Sequence, residues 1–250
     1  MRKTYTTPAG EYFGEYSPLY LDMAKQPHCL IAGATGSGKS TVINGILNAI
    51  LYNCAPCRAA FILIDPKRVE LAACAGLPHT VAHARGYNPE KWLQALQYAC
   101  MLMDRRYMDM EKRRIKMYDG PDIYVIIDEW ANVYKSGGAA CYKAVLRLIS
   151  EGRAARVHVI AATQVPKASI IPTEIRENFT ARVCMRCNTK AQSRVLMDVD
   201  GCERLPEYGY GFYITPRGKD LYKLPLIDEI YTDRLIAYWE GPAGKGRIAR

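Results

Sequence analysis

Short, nearly unbroken apolar runs alternate along most of this chain with segments whose apolar residues recur every three or four positions. His28–Ala32, Ala59–Ile64, Ile123–Ile127, Val157–Ala162 and Ala181–Cys187 are of the first kind and predict buried strands. Lys39–Leu51 is of the second kind: Val42, Ile43, Ile46, Leu47, Ile50 and Leu51 share a helical face. Asn88-Pro89-Glu90 opens another helix with a capping side chain and a first-turn proline. Trp92, Leu96, Ala99, Met103 and Met110 carry its face toward Met117, and Gly120-Pro121 ends the segment. A further helix is predicted over Ala139–Gly152. Strands alternating with helices predict an α/β fold with a mostly parallel central sheet covered by helices on both faces. Tyr210–Thr215 and Asp220–Leu226, around Pro216-Arg217-Gly218, predict a C-terminal β-hairpin. Residues 1–27, rich in Tyr, Thr, Pro and Gly and without clear periodicity, read as a leader segment. Residues 28–230 read as the main domain, and 231–250 as a helix and a Gly-rich basic tail.

The 250 residues are 49% hydrophobic and 24% charged, which excludes a disordered or collagen-like chain. No apolar run approaches the ~18–20 residues of a membrane-crossing helix. The N-terminus starts basic but lacks the apolar stretch of a signal peptide. Nine cysteines in such a chain point to reduced thiols and a cytoplasmic location. Thirty-four Lys and Arg against 25 Asp and Glu leave a net charge of +9. That excess suits nucleic acid or an anionic membrane surface, and composition takes it no further.

The chemistry is more specific. Gly33-Ala34-Thr35-Gly36-Ser37-Gly38-Lys39-Ser40, followed at once by Thr41, has the form G-x-x-x-x-G-K-[ST] between a predicted strand and a predicted helix. This is the context a P-loop requires. Glycines let successive N–H groups and a helix start converge on phosphate oxygens. In that reading Lys39 reaches the β- and γ-phosphates of ATP and the Ser40 hydroxyl coordinates Mg2+. Tyr124–Ile127 then delivers Asp128 and Glu129 to a strand end. Asp128 is the metal-side acid, and Glu129, directed elsewhere, would orient and activate the attacking water. Thr163-Gln164 leaves another strand at the edge where open α/β sheets bind ligands. Gln164 is there either a sensor of the γ-phosphate or a polar residue at an ordinary strand end.

Together these residues resemble the motor domain of the FtsK/SpoIIIE family of DNA translocases, within the RecA-like P-loop ATPases. Ile64-Asp65-Pro66-Lys67-Arg68-Val69-Glu70-Leu71 looks like the family's I-D-P-K-x-x-E-L. Gly76-Leu77-Pro78-His79 and Met103-Asp104-Arg105-Arg106-Tyr107 resemble its G-I-P-H and M-E-R-R-Y. Val125–Ala131 resembles V-V-I-D-E-F-A, Gly152–His158 resembles A-R-A-A-G-I-H, and Ala162-Thr163-Gln164 its A-T-Q. The likeness runs from about residue 28 to residue 215. It implies that Gln164 is the γ-phosphate sensor. It implies too that Arg153 is an arginine finger reaching the γ-phosphate of a neighbouring subunit, with Arg156, Arg182 and Arg186 as rivals. It further implies double-stranded DNA as partner and a homohexameric ring.

The family's membrane segment, linker and C-terminal winged-helix DNA reader have no counterpart in this sequence, and Arg156 stands where the family has glycine. The resemblance is therefore to a motor alone, of the kind found on conjugative elements, plasmids and viruses. The expected activity is ATP-driven translocation of duplex DNA in the transfer or mobilisation of such an element, with a relaxase or another protein recruiting it. The alternative is a type VII protein-secretion ATPase, although those tend to carry D-F-K-G-G where this chain has Asp65-Pro66-Lys67. For DNA phosphates the candidates are Lys135, beside Ser136-Gly137-Gly138, and Lys167, after Gln164. The pairs Cys54/Cys57 and Cys184/Cys187 lie too far apart in sequence to argue for zinc, and Lys112-Arg113-Arg114 reads as a solvated helix end.

Overall fold

A computed structural model describes residues 3–6, 12–206, 208–225 and 229–241. In chain order the elements are β1 (Lys3–Thr6), β2 (Tyr12–Ser17), β3 (Cys29–Ala32), α1 (Lys39–Asn53), β4 (Ala59–Asp65), β5 (Thr80–Arg85), α2 (Pro89–Arg113) and β6 (Asp122–Ile127). They continue as α3 (Trp130–Ser136), α4 (Gly138–Glu151), β7 (Val157–Thr163), α5 (Thr173–Asn178), β8 (Ala181–Met185), α6 (Lys190–Met197), β9 (Tyr210–Thr215), β10 (Gly218–Lys223) and α7 (Glu229–Glu240). They form two compact units. The first takes the described residues of Met1–Ile43 and Ala162–Leu226, and the second those of Asn44–Ala161 and Ile227–Arg250.

In the second unit β7, β6, β4 and β5 lie side by side and all run parallel. The centres of β4, β6 and β7 are buried on both faces: Phe61 to Ile64, Val125 to Ile127 and Val159 to Ala161 are at most 1% exposed. That explains why these strands read as unbroken apolar runs. Register places Ile64 beside Ile127 and Asp65 beside Arg85, so β4, β5 and β6 end along one edge. The Asn88 side chain caps α2 by accepting from the Lys91 N–H, with Pro89 in the first turn. The helix stops at Arg113 rather than near Met117, because Arg114 takes a left-handed conformation at φ 55°. Arg113 pairs there with Asp109 and Asp119, which accounts for part of the basic run. Helix α7 belongs to this unit: Trp239 is 2% exposed, its Nε1 donates to the Leu51 carbonyl, and its ring meets His79 edge-on.

At the start of β6 the Asp122 carboxylate binds Arg156 through two nitrogens at 2.8 and 2.6 Å and contacts His158 Nε2 at 2.9 Å. Arg156 has φ 54°, a conformation that favours glycine and that the family fills with glycine. Arg106 braces the same turn by donating to the carbonyls of Ala155 and Arg156.

In the first unit β3 pairs with β8 in parallel, and β8, β9 and β10 follow in antiparallel order. The expected hairpin is β9–β10, its second strand starting at Gly218 and ending at Lys223. The leader reading of residues 1–27 missed two strands. β2 joins β10 in parallel through Tyr16 and Ser17, and β1 pairs antiparallel with β2. No described helix is long and apolar enough to cross a membrane.

Candidate functional site

The P-loop belongs to the first unit. Strand β3 is fully buried and gives way directly to Gly33. Each glycine has its own reason. A Cβ on Gly33 would lie 2.5 Å from Ser37 Oγ and 2.7 Å from Met185 Cβ, while Gly36 and Gly38 hold φ values of 78° and 99°. The loop is braced from several directions. Gly33 N–H donates to the Thr163 carbonyl, Ala34 N–H to the Arg186 carbonyl, and Gly209 N–H to the Ser37 carbonyl. Helix α1 starts at Lys39, which is 5% exposed, so Lys39, Ser40 and Thr41 occupy its first turn. The N–H groups of a first turn have no helical acceptor and point outward along the axis, which is what an anion site needs.

A cavity of about 310 Å³ opens on this loop, lined by Ala34, Thr35, Gly36, Ser37, Arg186 and Asn188. Gln164 belongs to the same unit, and its Oε1 accepts from Thr35 Oγ1 at 3.3 Å. The family resemblance offers Arg186 as one of the arginines reaching a neighbouring subunit. The structure sets it on the rim of its own chain's P-loop, because β8 ends at Met185 and the next carbonyl bonds Ala34. Thr41 Oγ1 also meets the Tyr208 hydroxyl at 2.9 Å, a contact nothing in the sequence announces.

Asp128 and Glu129 belong to the second unit. Asp128 follows the last residue of β6, is wholly buried, and its N–H donates to the Ile64 carbonyl. Glu129 stands at the N-cap position of α3 without a capping side-chain bond, and its Oε2 lies 3.1 Å from Lys67 Nζ. Lys67 comes from the turn after β4. Asp65 shapes that turn by accepting from the N–H groups of Lys67, Arg68 and Leu71 at 3.1, 2.7 and 3.2 Å. Within Ile64–Leu71, Asp65 builds the turn and Lys67 meets Glu129.

Among the arginines of this unit, Arg156 is committed to Asp122, whereas Arg153 is exposed and no hydrogen bond or ion pair among the described residues engages its side chain. In the first unit Arg182 donates to the Leu196 carbonyl and lies 3.7 Å from Asp198. Lys135 is exposed, at a joint between two helices. Lys135 and Ser136 end α3, and α4 begins at Gly138, whose φ of 66° turns the chain between them. Lys167, in the first unit, is exposed in a turn whose Ile170 and Ile171 N–H groups donate to its carbonyl, and both isoleucines are buried.

A sequence profile of the FtsK/SpoIIIE family matches residues 3–197. This chain belongs to that family. The DNA translocase FtsK of Helicobacter pylori (strain ATCC 700392 / 26695) is 34% identical over 221 residues, 83% of this chain and 26% of the relative. That of Treponema pallidum (strain Nichols) is 36% identical over 214 residues, 80% of this chain and 27% of the relative. The chain thus spans about a quarter of the length of these curated relatives. Among solved structures, the pCW3 conjugation coupling protein TcpA, in monomer form with ATPγS, superposes with a TM-score of 0.76 at 20% identity. The match covers 94% of this chain and 69% of TcpA. The cytoplasmic domain of the Thermomonospora curvata type VII secretion ATPase EccC gives 0.74 at 22% identity, covering 94% of this chain and 30% of EccC. These likenesses establish the fold as α/β.

Proposed function

We propose that this chain is an ATP-hydrolysing motor that moves double-stranded DNA as a ring of identical subunits, six in the family, serving the transfer or mobilisation of a mobile element. The observation that carries the reading is the P-loop cavity with Arg186 on its rim, in a chain 34% identical to a DNA translocase. The N–H groups of the first turn of α1 and the Lys39 ammonium take the phosphates of ATP, and Arg186 adds a second cation from the same chain. Mg2+ suits each of two donors by its own chemistry. Ser40 offers a hydroxyl and Asp128 a buried carboxylate, hard oxygens of the kind this ion takes beside phosphate oxygens and water. When bound, the ion would neutralise charge on the phosphates. Glu129 receives the proton of the attacking water. Gln164, tied to Thr35, senses the γ-phosphate, and the exposed Arg153 completes the site of a neighbouring subunit. Exposed Lys135 and Lys167 contact DNA phosphates, and a relaxase or similar protein recruits the motor.

Turnover of ATP is expected to rise severalfold with linear duplex DNA and the rise to fade with added salt. Glu129→Gln is expected to keep ATP binding while turnover falls about 10²–10⁴-fold. An ATPase indifferent to duplex but stimulated by an exported peptide would replace this reading with that of a secretion ATPase.

A further inference from the structure

The carboxylate of Glu129 is 5% exposed, while its partner Lys67 is 37% exposed. Solvent, and any anion in it, reaches the Lys67 side chain far more than the acid. The backbone under Lys67 is fixed by the three N–H groups that Asp65 accepts, so the movable part is the four-carbon side chain. While Lys67 donates to Oε2, one of that oxygen's two acceptor positions is taken and the carboxylate is held toward the turn after β4.

Lys67 stands on a basic rim. Strands β4, β5 and β6 end along one edge, where Lys67, Arg68 and Arg85 are exposed. The Arg68 guanidinium lies over Gly86, and the next residue, Tyr87, shares a hydrogen bond with Ser136 at the end of α3. Helix α3 itself runs from the residue after Glu129 to Ser136, with exposed Lys135 in its last turn. A line of direct contacts therefore joins the partner of Glu129 to the lysine nominated for DNA.

We propose that Lys67 is a positioning residue that restrains Glu129 when no DNA is present, and that duplex phosphates on this rim draw its ammonium away and release Glu129 to the water. This rests on the function proposed above. Glu129 offers the ammonium one charge, whereas a duplex carries one charge per ~1.7 Å of axis and is held close by the neighbouring cations. The polyanion wins the competition for an exposed side chain.

Lys67→Met keeps the length of the side chain without its charge, and Lys67→Arg keeps the charge. ATP turnover is measured with and without linear duplex, beside the affinity for a non-hydrolysable ATP analogue. Lys67→Met is expected to turn over ATP severalfold faster than wild type without DNA, with little further rise on adding it and unchanged analogue affinity. Lys67→Arg is expected to restore both the low DNA-free rate and the stimulation. If Lys67→Met does not fold, Lys67→Gln is read the same way. DNA-free turnover at or below wild type in the uncharged variant, with wild type still stimulated by duplex, overturns the inference alone. A wild type that turns over ATP at one rate with and without duplex overturns the function reading and the release step with it.

Discussion

Arg156 places two opposing contributions on one residue, and substitution can separate them. Its φ of 54° costs any residue with a Cβ about 1 kcal/mol or more relative to glycine. Its guanidinium returns a two-nitrogen bond to Asp122, whose side chain is 17% exposed. Charge-assisted bonds of this kind contribute ~1.5–3 kcal/mol when buried. With Arg156 itself 37% exposed, solvent screening brings that to ~1–2 kcal/mol. Arg156→Ala keeps the backbone cost and loses the pair, so it should destabilise by ~1–2 kcal/mol. Arg156→Gly loses the same pair but sheds the backbone cost, and should fall within ~1 kcal/mol of wild type. The alanine variant should then melt ~2–4 °C below the glycine variant in a chain of this size, measured by circular dichroism at neutral pH. If glycine is no better than alanine, the left-handed backbone at this position is wrong. If both match wild type, the Asp122 pair contributes nothing.

Two further outcomes follow from geometry already described. Gly33→Ala would press a Cβ against Ser37 and Met185 and should weaken nucleotide binding about tenfold or more, ~1.4 kcal/mol, in a fluorescent-nucleotide titration. Gly36→Ala meets nothing within 4 Å and should show only the modest backbone cost, so equal losses in the two variants would refute the steric account. Burial holds the His79 imidazole below its ordinary range, its bond to the Cys54 carbonyl offsetting only part of that. The unfolded chain takes up the proton near pH 6.5 and the folded chain does so lower. Stability should therefore be full above about pH 6.5 and decline below it, by at most ~1.4 kcal/mol per pH unit for this group. His83, shifted the same way by burial, adds to the slope, so thermal melts of His79→Gln between pH 7.5 and 5 should show a shallower decline, and an unchanged slope would refute the assignment.

What the sequence made readable was local. The P-loop could be read because close packing at Gly33 and left-handed φ at Gly36 and Gly38 each demand glycine within a few residues. Strands β3, β4, β6 and β7 could be read because burial on both faces leaves an unbroken apolar run. Asp128 and Glu129 followed from the end of such a run. Strands β1 and β2 could not be read, since β2 is held by partners some two hundred positions further along the chain. β5 mixes small, polar and charged residues and becomes a strand through its pairing with β4. Arg186 and Lys67 were visible as letters, but their neighbours, Ala34 and Glu129, are supplied by other parts of the fold. For the same reason nothing in the residues around Lys135 showed that they close one helix and open the next.

The two units are interleaved along the chain, and this bears on how the protein comes off the ribosome. The core around His79 and Leu51 is closed by Trp239, yet the whole stretch from Ala162 to Leu226, which belongs to the other unit, must be synthesised first. β3 likewise waits for β8, with most of the second unit's residues made in between. Neither unit can therefore be finished as it emerges. A nascent chain passes through a long interval in which apolar strands such as β3 lack their neighbours.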